Sequence, residues 1–226
     1  MTLQSASSLV VPEAYTRWLE SRGLIYQLLL DFFGRKPSLS LVAQWCSTRQ
    51  MSIAAEMTEG GRELKRYLCS QEPGKLPQIC KQETQEYTRL MNERATREAA
   101  NRGRAEEFCN VLSDVYASAG VVFKKCGEEA DDHIAIELEF MAVLHERMLY
   151  NCFTVRSAME LLEIQEAFLE EHLLRWTPQF CERLNSLTES KLYLGLSHML
   201  EEFLPQDLQM LRAWKASLET SATSML

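Results

Sequence analysis

Four histidines and seven cysteines are the side chains of this chain best suited to hold a metal or attack a substrate, and their spacing argues against both uses. A diiron helical bundle needs Glu-x-x-His repeats, so that one helix face offers a carboxylate and an imidazole together. None of His133, His145, His172 and His198 has a glutamate three residues before it. The cysteines (Cys46, Cys69, Cys80, Cys109, Cys126, Cys152 and Cys181) stand 11 or more residues apart, form no Cys-x-x-Cys pair and are odd in number. That pattern fits neither a zinc site nor a secreted disulfide framework. It fits thiols that serve as small core hydrophobes in a reducing cytoplasm. A P-loop is absent, and no Ser-His-Asp or Cys-His arrangement can be assigned. No metal and no cofactor are expected.

Two charged residues are placed where charge is costly. From Ile134 to Leu149 apolar residues cover nearly the whole helical circumference, which describes a central, buried helix. Glu139 and Glu146 share a narrow polar stripe, but Glu137 falls on the apolar arc between Leu144 and Met141, one turn after His133. A carboxylate there must be paired, hydrogen-bonded or protonated, for function or for structure. Arg22 intrudes in the same way among Trp18, Leu19, Ile25, Tyr26 and Leu29, and is either buried and paired or snorkelling outward. The economical solution joins Arg22 to Glu137 in one buried polar network. His172 shares an arc with Phe168, Leu169, Leu173 and Trp176 and reads as a core histidine, while His133 could form a local cap contact beside Asp132.

The elements that position these residues are all helical, because no segment alternates with period two. Apolar spacing predicts a long first helix from Pro12 until Gly34 and Pro37 stop it, then a second from Ser38 or Ser40 to Met57. Gly60-Gly61 would separate that helix from a short third one, and Gln71–Pro77 is the clearest loop. A fourth helix from Gln78 runs into the mixed-charge stretch MNERATREAANRGRAEE, read as a solvated helix end with a turn. Helices over 105–125, 132–150, 154–176 and 178–187 follow, and a final pair starts near Ser190 and Pro205. The expected architecture is all-α, a single compact domain over residues 1–226 with about ten helices.

Thirty-two acidic against 24 basic residues give a net charge of −8, which repels phosphate backbones and anionic membranes, so no nucleic-acid partner is expected. No apolar run approaches 18 residues and the amino terminus has no basic region ahead of an apolar one, so no stable membrane insertion is expected either.

The stretch Asp132-His133-Ile134-Ala135-Ile136-Glu137-Leu138-Glu139-Phe140-Met141 resembles the signature of the TorD/DmsD/NarJ family of redox-enzyme maturation chaperones, a Pro-Asp-His followed by an apolar run carrying Glu-Leu-x-Phe-Met. Three other segments agree with the family: Arg22-x-x-x-Tyr26-x-Leu28-Leu29, Glu86-Tyr87-Thr88-Arg89-Leu90, and Phe168-Leu169-x-x-His172-Leu173-x-x-Trp176-x-Pro178-x-Phe180. Asp131 replaces the usual proline, and MNERATREAANRGRAEE stands where many relatives carry a glycine- and proline-containing loop. The resemblance implies a cytoplasmic, non-enzymatic chaperone, monomeric or homodimeric. Its partner would be a molybdenum-cofactor-dependent apoenzyme or the twin-arginine signal peptide of that enzyme, bound before export. It further implies a client- or leader-binding surface including Asp131, Asp132, His133, Tyr87, Leu90 and Tyr116. The rival readings are a helical scaffold or regulator without leader binding, and the diiron enzyme.

Overall fold

A computed structural model describes residues 11–46, 49–91, 96–102, 107–123, 130–151 and 154–223. Among them the chain is all-α. Helix α1 (Glu13–Phe33) begins behind Pro12 and ends at Gly34. The second helix expected as far as Met57 is instead two, α2 (Leu39–Cys46) and α3 (Arg49–Ala54), with residues 47–48 outside the described set. Next come α4 (Glu59–Cys69), a 3-10 turn at Pro73–Lys75, α5 (Leu76–Leu90), α6 (Glu98–Asn101) and α7 (Glu107–Ser118). The chain then runs through α8 (Ile134–Asn151), α9 (Val155–Phe168), a π-helical turn at Leu169–Leu173, α10 (Leu174–Leu187) and α11 (Lys191–Thr223).

Gly60-Gly61 is no separator. The pair lies in the first turn of α4, whose Thr58 hydroxyl accepts the Gly61 N–H at 3.0 Å. The glycines are there for packing, since a Cβ on Gly60 would stand 2.3 Å from the Met199 nitrogen of α11. Nor do the prolines break helices where the sequence suggests. Pro178 lies inside α10, and the irregularity comes earlier, in the π turn. Pro205 sits on the exposed side of α11, where water can take up the carbonyl bond that its ring forfeits, so the expected final pair is one helix.

Helix α11 packs along α4, α10 and α9, and α8 lies against α1 and α9. As its apolar circumference requires, α8 is central: Ile134, Leu138, Phe140, Met141 and Leu144 are completely buried. Phe140 and Phe168 stack edge to face at 4.7 Å, with Tyr116 of α7 against Phe140 at 4.8 Å. On α1, Asp31 accepts the Trp45 indole N–H at 2.9 Å, which ties α2 to the core. No helix among the described residues is long and apolar enough to cross a membrane.

Candidate functional site: a buried carboxylate cluster at the head of α8

The charge-rich stretch after Leu90, read as solvated, contributes instead a buried segment. Thr96 and Glu98 are fully buried, and residues 96–98 run antiparallel to 132–134. The Ile134 N–H donates to the Thr96 carbonyl and the Glu98 N–H to the Asp132 carbonyl, each at 2.8 Å. Asp132 then works locally. Its carboxylate accepts from Arg97 Nε at 2.8 Å and from the Ala99 backbone N–H at 3.1 Å, satisfying a donor in the first turn of α6 that would otherwise be orphaned. At His133, Nδ1 accepts the Ala135 N–H at 3.1 Å, the local cap contact considered above.

Behind this clasp lie three carboxylates with no exposed surface, Glu98, Asp132 and Glu137. Glu98 is held by Arg102 and by His172 Nδ1 at 3.2 Å, and the His172 ring stacks on Phe168. Glu137 accepts the Trp176 indole N–H at 3.2 Å through Oε2, while its buried Oε1 has no hydrogen-bond partner among the described residues. Burial, followed by the nearby Glu98 and Asp132 charges, raises the Glu137 pKa well above its ordinary value, although Trp176 and Arg102 pull the other way. Folding thus favours the protonated, neutral form of Glu137.

The expected pairing of Arg22 with Glu137 is replaced by two separate networks. Arg22 is fully buried, as expected, but its Nε donates to Asp207 Oδ1 of α11 at 2.7 Å, and Tyr26 donates to Asp207 Oδ2 at 2.8 Å. Arg22 Nη1 also lies 3.3 Å from Nδ1 of His145 on α8. The physical reason is ionisation: a permanently charged guanidinium needs an anion, which Asp207 supplies, whereas a carboxyl that can shed its charge by protonation needs none.

Of the residues expected to meet a client, Asp132, Tyr116 and Leu90 are buried. Tyr116 donates to the Asp131 carbonyl at 2.8 Å, so it holds the chain leading into the motif from behind. Asp131 and His133 are partly exposed beside Arg97. Tyr87, partly exposed on α5, points its hydroxyl at the Phe33 carbonyl at 3.5 Å, and α5 packs principally on α2. Sequence reasoning missed Glu98, Arg97, Arg102 and Asp207. For Glu98 a signal was present, the small apolar pair Ala99-Ala100 inside the charge run.

The upward shift at Glu137 has a measurable consequence. An acid whose pKa is raised by folding takes up protons as the chain folds, so stability falls as pH climbs above its ordinary value of 4.5. The loss is up to about 1.4 kcal/mol per pH unit, and it continues until the folded-state pKa is passed. Glu137→Gln keeps the shape and removes the ionisation. Its melting temperature should exceed that of the wild type at pH 8, with the gap closing towards pH 4.5. A gap that does not change with pH would show that another group carries the dependence.

Fold and site together define an all-helical domain in which the motif residues shape and brace a surface edge at the head of a central helix. Residues 96–182, which span the whole carboxylate cluster, match the family model described as nitrate reductase delta subunit. The chain is similar to a protein named "Chaperone protein TorD" from Vibrio cholerae, 30% identical over 97 residues, covering 42% of this chain and 43% of the relative. A protein of the same name from Vibrio atlanticus is 30% identical over 101 residues, covering 44% and 46%. The "Perchlorate reductase assembly chaperone protein" of Dechloromonas aromatica is 26% identical over 98 residues, covering 43% and 44%. The matches thus span less than half the length of these relatives. No solved structure matches. The resemblance to the TorD/DmsD/NarJ family thus rests on a family model over residues 96–182 and on relatives matched over less than half of the chain.

Proposed function

We propose that this protein is a non-enzymatic, cytoplasmic maturation chaperone that holds a molybdenum-cofactor-dependent apoenzyme, or its twin-arginine leader, until the cofactor is inserted and export can proceed. The observation that carries this reading is the match over residues 96–182, which covers every residue of the clasp and cluster, among relatives named as chaperones and as an assembly chaperone of a reductase. The buried part of the motif (Asp132, Glu98, Glu137, Tyr116) holds the backbone of 130–133 in place, and its partly exposed part (Asp131, His133) meets the client. An acidic chain of net charge −8 suits a leader with paired arginines.

Isothermal titration of a twin-arginine leader into the wild type should show binding that weakens as salt rises, because exposed charges are screened beyond about 8–10 Å at physiological ionic strength. Asp131→Lys combined with His133→Ala should weaken binding about three- to tenfold, the scale of one or two exposed charge pairs, and leave the helical circular dichroism intact. Unchanged affinity in that variant would remove the motif edge from the interface. A wild type that binds no leader and no apoenzyme even at low salt would overturn the reading.

A further inference from the structure

Residues 96–102 cross the head of α8 as a strap that carries its own short helix, α6 (Glu98–Asn101). So short a helix cannot persist alone, because forming one turn costs more than its bonds return, and the strap depends on what it is tied to. One tie is the motif. Besides the two main-chain bonds, Arg97 Nε and the Ala99 N–H both donate to the inward-turned Asp132. The other tie is the π turn, where the i→i+4 ladder is interrupted and carbonyls need new donors. The Glu171 carbonyl accepts from Arg102 Nη1 of the strap at 3.2 Å, and the Glu170 carbonyl accepts from Arg175 Nε at 2.9 Å. His172 of the same turn meets Glu98. Seating the strap nevertheless brings the Glu98 carboxylate close to Asp132 and Glu137, which have no exposed surface either. The cations that offset these acids stand partly in water, Arg97 with 34% and Arg102 with 25% of the side chain exposed. Repulsion inside the cluster is therefore less screened than the attraction that holds the strap down.

We propose that residues 96–102 are a proton-linked latch: the strap opens from α8 as a unit, Glu137 then gives its proton to solvent, and a rise in pH thereby frees the motif edge. Opening takes the Glu98 charge away from Glu137 and lets water in, the two largest causes that keep its carboxyl protonated when the strap is seated. Arg102 leaves with the strap and acts the other way, but it is the smaller influence. The charged and titratable groups facing Glu137 are Glu98 and Arg102 of the strap, Asp132 of its own segment and Tyr116 of α7. Arg97 reaches the cluster through Asp132, and His172 of the π turn through Glu98, where a proton on its ring would help to hold the strap. The remaining neighbours of α8 contribute little: α1 presents Arg22 two turns further on, at His145, and α9 the uncharged Gln165 at Met148. Once the strap leaves, Asp132 loses Arg97 and the Ala99 N–H, and Ile134 loses the Thr96 carbonyl, so nothing on the strap side shapes residues 131–133.

The latch is defined without a client, and only its effect on binding rests on the maturation-chaperone reading. Amide hydrogen exchange of the full chain, followed by NMR from about pH 6 to 8 and corrected for the intrinsic rate, tests it. The Glu98 and Ile134 amides, which make the bridge, should be protected about tenfold or more weakly than the amide of Leu144 in the core of α8. Their protection should fall as pH rises, by up to about tenfold per pH unit, the limit for one proton released. Glu137→Gln should keep the local opening and abolish its dependence on pH. Arg102→Ala, which gives up both Glu98 and the Glu171 carbonyl, should lower the protection of Glu98 and Ile134 by about three- to tenfold and leave Leu144 unchanged. Equal protection of all three amides would overturn the latch, since the strap would then leave only when the whole chain unfolds. The same pH slope in the wild type and in Glu137→Gln would overturn the proton linkage. A twin-arginine leader that binds the motif edge should raise the protection of Glu98 and Ile134. If the local opening is seen but no leader or apoenzyme binds, the latch stands and the chaperone reading falls. If a leader binds a protein that shows no local opening, the latch falls and the chaperone reading survives.

Discussion

Asp207→Ala is expected to cost about 3–5 kcal/mol of folding stability, the penalty for leaving a buried charge without its partner. Arg22 and Asp207 both have fully buried side chains, and Tyr26 uses the second carboxylate oxygen. Removing the carboxylate therefore strands a guanidinium and a phenol together. Arg22 Nη2 already has no hydrogen-bond partner among the described residues, so little slack remains in the site to absorb the loss. In a chain of this size the midpoint should fall by about 10 °C. Arg22→Ala should have a similar effect, and the double alanine variant should cost clearly less than the sum of the two. Urea denaturation of the four proteins measures the coupling. Singles that each cost under about 1 kcal/mol would mean that water reaches the pair.

Gly60→Ala should be the most damaging glycine-to-alanine change among the described residues. The added carbon would lie 2.3 Å from the Met199 nitrogen and 2.7 Å from the His198 carbonyl carbon, both backbone atoms of α11 that no rotamer change can move. The two helices must part, at a cost of about 1–3 kcal/mol or more. A Cβ on Gly195 of α11 would stand 3.1 Å from the Leu64 Cβ of α4, a tight but milder approach along the same seam. Gly74 is the control, because nothing lies within 4 Å of a Cβ placed there. Gly74→Ala should be neutral or slightly stabilising through the unfolded chain. Equal denaturation midpoints for the two variants would show that α4 and α11 are packed less tightly than described.

How much of this was legible in the sequence depends on whether the deciding interaction is local. Helical periodicity is local, so the all-α class, the limits of α1 and the central place of α8 could be read directly. So could the burial of Arg22 and Glu137, since each interrupts an apolar arc of its own helix. Their partners could not, because a helical wheel shows which face is buried but not which helix covers it. Asp207 hides between Gln206 and Gln209, and nothing in its own neighbourhood marks it as buried. Gly60-Gly61 and Pro205 mislead for the same reason. A glycine pair that permits close approach and a proline on a wet helix face look, from sequence, like punctuation. At the candidate site the motif stretch was recognisable, but the division of labour within it was not. The antiparallel pairing of 96–98 with 132–134 is long-range, and it turns Asp132 inward and leaves Asp131 and His133 at the surface.

That pairing also brings together two distant stretches of chain. Residues 96–98 and 132–134 meet at one main-chain bridge, and between them in sequence α7 is seated on the core through Leu112 and Tyr116. For a segment closed in this way, ordering entropy grows only with the logarithm of its length, about 0.6 kcal/mol for each doubling. Changes of length within this segment should therefore cost little so long as Leu112 and Tyr116 keep their packing and Tyr116 its bond to the Asp131 carbonyl. Two chains sharing this bridge can present different outer contours to different partners and still hold the same motif at the base.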